Sequence, residues 1–234
     1  MYSLKEASKV YLEGEVRSKE PFVFGHLDVP KELVEKAKSL EYTKAKILAA
    51  DFDAEPDEHG KYPLVARDDE GRRSSVTLMD KTHNEEFWDY MEKAGVFAEE
   101  WWERFPQYFD EWFFGQNGQV IKYGKGDFFL IHSDGGNFNY DFKVKGRDVC
   151  RVLMVVIGLS DSSEYEGGEL EFPSENKVIK STTGDVLCFP APMKHLVREV
   201  TKGSRHVLLG QYYAPLHRAH RDLFVDQFDR GPST

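Results

Sequence analysis

His132 and Asp134 stand two residues apart in Ile131-His132-Ser133-Asp134-Gly135. In an extended strand, side chains two apart project to the same face. An imidazole and a carboxylate can therefore grip one metal ion from a single strand end. A third ligand must come from elsewhere. His195, in Phe189-Pro-Ala-Pro-Met-Lys-His195, stands at the mouth of a predicted strand pair. Two imidazoles and one carboxylate form the facial set that suits non-haem Fe(II) and leaves coordination positions open. His-x-Asp by itself says little in a chain with 8 His and 41 Asp plus Glu.

Further residues sharpen the pattern. Arg205 follows His195 by ten residues, across a predicted strand and the turn Thr201-Lys-Gly-Ser204. A hairpin of that length returns the chain beside the metal, with Arg205 pointing inward alongside Val207, Leu209, Gln211 and Tyr213. A buried arginine is expensive without an anion, and a dicarboxylate would supply one in a bidentate pair. Tyr165-Glu-Gly-Gly-Glu-Leu-Glu-Phe172 sets paired glycines at a strand start. Tyr123 precedes the His132 strand by one strand. His217 and His220, three apart, have no third ligand in view and read as part of an exposed polar helix.

These side chains need a scaffold. From Gln116 onward, short segments rich in Val, Ile, Leu, Phe and Tyr alternate with glycine turns. Candidate strands are 119–123, 127–132, 151–159, 168–172, 177–179, 185–189, 196–200 and 204–213. Before that, Pro30 opens a helix with Leu33, Val34, Ala37 and Leu40 at helical spacing. Residues 84–109 read as two helices broken at Gly95, and 51–75 as a loop or short hairpin. The expectation is an α+β single domain over 1–234. It has a double-stranded β-helix (jelly-roll) catalytic core at 116–216, buttressed by a mainly helical support region at 1–115, with a C-terminal helix or tail at 217–234.

Composition narrows the partners. The 234 residues carry a formal charge of −10, which argues against broad nucleic-acid or anionic-lipid binding. No apolar run approaches a membrane span. The two cysteines, Cys150 and Cys188, sit in apolar contexts and read as buried free thiols. The expectation is a soluble, cytoplasmic protein with no nucleic-acid or membrane partner; oligomeric state is not legible.

Taken together, Tyr123, His132-x-Asp134, Tyr165-x-Gly167-Gly168-Glu169-Leu170, Gly184-Asp185-Val-Leu-x-Phe189-Pro190 and His195-x-Val197-x-x-Val200-Thr201-x-Gly203-x-Arg205 resemble the prolyl 4-hydroxylase-like branch of the Fe(II)/2-oxoglutarate oxygenases. The last segment is most similar to the PKHD-type hydroxylases. The resemblance covers about residues 119–214. It implies that His132, Asp134 and His195 bind Fe(II), and that Arg205 pairs with the distal carboxylate of 2-oxoglutarate, with Tyr123 hydrogen-bonded to the same group. It further implies O2 as oxidant, ascorbate as accessory reductant, decarboxylation of 2-oxoglutarate to succinate, and hydroxylation of an unactivated C–H bond. Collagen-type and sensor-type members usually use lysine where this chain has Arg205. Two substrate classes stay open, a prolyl residue in a peptide or protein and a free amino acid or small metabolite, beside a non-catalytic 2-oxoglutarate- or metal-binding module. Related halogenases have glycine or alanine where this chain has Asp134, so hydroxylation is the expected chemistry. Phe138, Tyr140 and Phe142, between Gly135 and Arg147, are candidate lid residues over substrate, and Arg151 a candidate substrate or co-substrate contact.

Overall fold

A computed structural model describes residues 20–50, 64–67, 70–79, 81–82, 84–105, 111–115, 118–135, 143–144, 147–215 and 224–229. Its main sheet runs in the order β1 (Val23–His26), β16 (Asp185–Pro190), β12 (Cys150–Gly158), β19 (Arg205–Ala214), β8 (Gly118–Tyr123), β6 (Ser75–Met79), β2 (Thr43–Lys44), with β7 (Phe113–Phe114) also paired to β19. A second sheet runs β15 (Lys177–Ile179), β14 (Leu170–Phe172), β17 (His195–Val197), β9 (Phe128–His132), β5 (Arg72–Arg73). Three two-stranded ladders complete the set: β13 (Tyr165–Gly167) with β18 (Val200–Gly203), β10 (Lys143–Val144) with β11 (Arg147–Asp148), and β3 (Ile47–Ala50) with β4 (Leu64–Arg67). The paired strands are antiparallel.

The two larger sheets face each other. Phe172 of β14 meets Phe189 of β16 edge-on at 5.0 Å, and Phe189 meets His195 of β17 at 5.0 Å. The central strand β12 reads Cys-Arg-Val-Leu-Met-Val-Val-Ile-Gly and is buried along nearly its whole length. A near-continuous apolar run is what a strand covered on both faces requires. Three helices bring apolar stripes into the same core: α1 (Lys31–Ser39) through Leu33 and Ala37, α2 (Glu85–Lys93) through Phe87, Trp88 and Met91, and α3 (Gly95–Arg104) through Ala98 and Trp101. The Tyr212 hydroxyl of β19 donates to the Met91 carbonyl at 3.1 Å, and Trp101 Nε1 donates to the Pro21 carbonyl at 2.9 Å. Residues 224–228 are helical, and Phe224 and Phe228 pack on Trp101. Cys150 and Cys188 are buried thiols outside any disulfide, and Cys150 Sγ donates to the Ala214 carbonyl at 3.5 Å.

Several expectations need correction. Among the described residues, the stretch before 116 carries seven strands as well as three helices, so it is not mainly helical. These strands are short, and most owe their existence to pairing with distant partners: β6 on β8, β1 on β16, β5 on β9. The strand read over 168–172 is the shorter β14, and the one read over 196–200 is divided. Gly167 and Gly168 turn at φ +74° and +70°, separating β13 from β14. Residues 198–199 separate β17 from β18, which belong to different ladders. Among the described residues, no helix is long and apolar enough to cross a membrane.

Candidate metal centre

His132 ends β9 and His195 opens β17, and the two are direct cross-strand partners. The register is irregular. His195 pairs with His132 and Val197 with Phe129, so three steps on β9 match two on β17. The extra residue is a bulge, which breaks the in–out alternation and re-aims the following side chain. Leu130 and Ile131 are consequently both outward, 59% and 51% exposed, while Phe129 and His132 share the inner side with ring centroids 3.5 Å apart.

Asp134 lies past the strand end, so strand alternation does not place it. Its N–H and that of Gly135 both donate to the Ala191 carbonyl, at 3.0 and 2.9 Å. The turn at 134–135 is thereby tied to the segment just before His195. Gly135 is required there, because a Cβ would come 2.9 Å from both the Ala191 Cβ and the Arg151 carbonyl. One ligand atom from each of His132, Asp134 and His195 lies within 4.8 Å of the others. His195 Nε2 is 3.4 Å from Asp134 Oδ2, and His132 Nε2 is 4.0 Å from Asp134 Oδ1.

Both imidazoles face inward through the same nitrogen. His132 Nδ1 donates to the Leu130 carbonyl at 2.8 Å and His195 Nδ1 to the Met193 carbonyl at 2.9 Å. With the proton held on Nδ1, the Nε2 lone pair is free to bind a metal. Burial, helped by the charge of neighbouring His195, lowers the His132 pKa to about 4. Burial alone would raise the Asp134 carboxyl, but the hydrogen bond and charge of His195 and the charges of His132 and Arg151 override it and hold it below the usual carboxylate range. At neutral pH the pocket therefore presents one carboxylate and a neutral His132, the protonation states a divalent cation needs.

Arg205 opens β19 opposite Tyr123, its direct partner on β8. It is 3% exposed, its Nε has no hydrogen-bond partner, and its Cζ sits 5.6 Å from the Tyr123 ring centroid. It also lines a cavity of about 210 Å³ between the sheets, with Val156, Leu170, Ile179 and Leu187 among the walls.

Residues 118–213 match the model of the 2OG-Fe(II) oxygenase superfamily. Over that segment the chain is similar to the 2OG-Fe(II) oxygenases. A PKHD-type hydroxylase of Prochlorococcus marinus is 41% identical over 76 residues, covering 31% of this chain and 34% of that protein. One of Idiomarina loihiensis is 33% identical over 110 residues, covering 46% and 47%. The chain thus matches between a third and a half of the length of these curated relatives. The fold is similar to that of a viral collagen prolyl hydroxylase from Paramecium Bursaria Chlorella virus-1, with a TM-score of 0.56 and 17% identity over 83% of this chain and 97% of the other. It is also similar to a Pseudomonas putida prolyl-4-hydroxylase, with a TM-score of 0.55 and 14% identity over 88% and 98%.

The donor set of this segment fits Fe(II): two imidazole nitrogens and one carboxylate, pre-oriented and close. The buried Arg205 guanidinium, whose Nε has no hydrogen-bond partner, fits the distal carboxylate of 2-oxoglutarate, because a buried donor without an acceptor is costly. Arg151 lies at the centre's rim. Its Nη1 donates to the Asp134 carbonyl at 2.8 Å and is 3.8 Å from Asp134 Oδ1, and its Nη2 reaches the Tyr213 hydroxyl at 3.4 Å. Tyr213 in turn donates to Gln211 Oε1 at 2.8 Å. Phe138, Tyr140 and Phe142 lie outside the described residues, as do His217 and His220.

Sequence reasoning missed Phe129, Gln211 as an acceptor for Tyr213, and Arg72, whose guanidinium lies 4.6 Å from the Phe129 ring centroid. Phe129 sits three residues before His132, a spacing that strand alternation assigns to the opposite face. Arg72 lies in a stretch with no local strand signal. Nothing in the sequence alone marked either one.

Proposed function

We propose that this chain is an Fe(II)- and 2-oxoglutarate-dependent dioxygenase that hydroxylates an unactivated C–H bond, with a prolyl residue of a peptide or protein as its substrate. The observation that carries the reading is the convergence of His132, Asp134 and His195 on one point, within 4.8 Å of one another. The PKHD-type hydroxylases among its relatives support a hydroxylase, and the prolyl hydroxylases among its structural neighbours support the prolyl substrate.

In this reading Nε2 of His132, Nε2 of His195 and the Asp134 carboxylate hold the iron. Arg205 holds the distal carboxylate of 2-oxoglutarate, and Tyr123 flanks that guanidinium. When bound, the iron and co-substrate supply the oxidising chemistry: O2, 2-oxoglutarate and R–H give R–OH, succinate and CO2. The protein's own part is positioning and dryness. Arg151 steadies the Asp134 turn through its carbonyl and faces Oδ1, away from the His195 side. Phe129, Phe172 and Phe189 wall the imidazoles against water. In this reading α2, against β19, and α3, against β1 and β16, buttress the main sheet. Ascorbate is the accessory reductant in this reading.

A second substrate reading, a free amino acid or small metabolite, is compatible with arginine at position 205. The test is succinate formation by the purified chain with Fe(II), 2-oxoglutarate and O2, followed by mass spectrometry of proline-containing peptides and free amino acids for the gain of one oxygen. Iron-dependent succinate, lost in Asp134→Ala, is the expected result. Full turnover by Asp134→Ala would refute the ligand assignment. Tight 2-oxoglutarate binding without turnover on any candidate would favour a sensing module.

A further inference from the structure

Arg72 and Arg73 on β5 are the direct cross-strand partners of Phe129 and Phe128 on β9. Each guanidinium lies over its partner's ring, Arg72 Cζ 4.6 Å from the Phe129 centroid and Arg73 Cζ 5.5 Å from that of Phe128. The two contacts are chemically alike, but only one ring goes on to touch the metal centre. Phe129 lies against His132 with planes 16° apart and centroids 3.5 Å apart.

Arg72 is itself held. Its Nε donates to the buried Ser74 hydroxyl at 2.8 Å. On the other side, His132 Nδ1 is tied to the carbonyl of Leu130, a residue of the bulge. That hydrogen bond fixes the tautomer, but a single bond leaves the ring plane free to swing about it. The flat contact with Phe129 removes that freedom, and the guanidinium keeps Phe129 flat.

We infer that Arg72 is a positioning residue for the metal ligand His132, acting through the ring of Phe129. It lies outside the segment that matches the oxygenase family, so the chain before residue 118 takes part in holding the centre. The inference rests on the reading of His132 as an iron ligand.

The test uses the full chain and Co(II) alone, with affinity from calorimetry and ligand geometry from the visible absorption of the Co(II) form. Arg72→Ala is expected to weaken Co(II) about tenfold and to alter the Co(II) bands. Phe129→Leu should do the same. Arg72→Lys, which keeps the cation but not the planar fork, should recover part of the loss. Arg73→Ala should match the unaltered chain. Circular dichroism of each metal-free variant checks that the fold survives. Unchanged affinity and bands in Arg72→Ala would overturn the inference, as would an equal loss in Arg73→Ala, which would make both arginines mere supports of the sheet. An unaltered chain that takes up no Co(II) would overturn the iron-site reading and this inference with it.

Discussion

Buried histidine without a metal is a liability, and two residues here carry it. His132 and His206 each have a pKa of about 4, with burial as the leading cause and, next, the charge of His195 on one and of Lys122 on the other. An unfolded histidine titrates near 6.5. Between those values the unfolded chain binds more protons than the folded one, so the histidines' contribution to stability falls as pH drops from about 6.5 to about 4 and levels off below. The loss should reach up to about 3 kcal/mol for each histidine. Urea melts of the metal-free chain at several pH values should show this slope, and His206→Gln should roughly halve it. Arg205 makes a second prediction at this scale. Arg205→Gln leaves the cavity without its cation and should weaken 2-oxoglutarate at least tenfold, read as KM in the succinate assay.

At the scale of elements, turns and irregularities do the placing. Gly167 has φ +74°, and a Cβ there would come 2.0 Å from the Glu199 carbonyl oxygen. Gly168, at φ +70°, would press a Cβ 2.9 Å from Val200 Cγ2 and 3.3 Å from Arg205 Cδ. Gly167→Ala should therefore cost roughly 2–4 kcal/mol in thermal or urea unfolding. Gly168→Ala should additionally raise the KM for 2-oxoglutarate, because it crowds Arg205, the proposed partner of its distal carboxylate. The β9 bulge makes a contrasting prediction. Leu130→Ser and Ile131→Ser should each change stability by less than about 0.5 kcal/mol, whereas Phe129→Ser should cost about 1–3 kcal/mol. A regular strand would give the opposite ranking for Leu130 and Phe129, since it would point Leu130 inward with His132.

For the whole molecule, the centre ties together segments far apart in the chain: β5 at 72–73, β9 with its turn at 128–135, β12 at 150–158, and the 191–195 segment. Ligands that bind this assembled state and not the unfolded chain must stabilise all of it by mass action. Mn(II) with N-oxalylglycine, at about one hundred times its dissociation constant, should add about 2.7 kcal/mol of stability. Differential scanning calorimetry should record one cooperative transition moving to higher Tm, reversed by a chelator. A shift confined to part of the transition would mean that the segment before 118 unfolds independently of the centre.

The types and spacings of His132, Asp134, His195 and Arg205 were legible in the sequence because they are local: a His-x-Asp pair, a histidine before a strand, and an arginine one hairpin later. So were most strand positions after 116, where the apolar runs between glycine turns are short and clear. The break at Gly95 was legible too. Tertiary structure decided what depends on pairing between remote segments. The β9 bulge exists only in the register between β9 and β17, so Phe129 joins His132 against the local pattern. Asp134 is placed by the Ala191 carbonyl, not by strand alternation. Arg72 reaches the centre only because its two-residue strand pairs with one more than fifty residues later. A sequence records which side chains are available; the hydrogen-bond register across strands decides which of them meet.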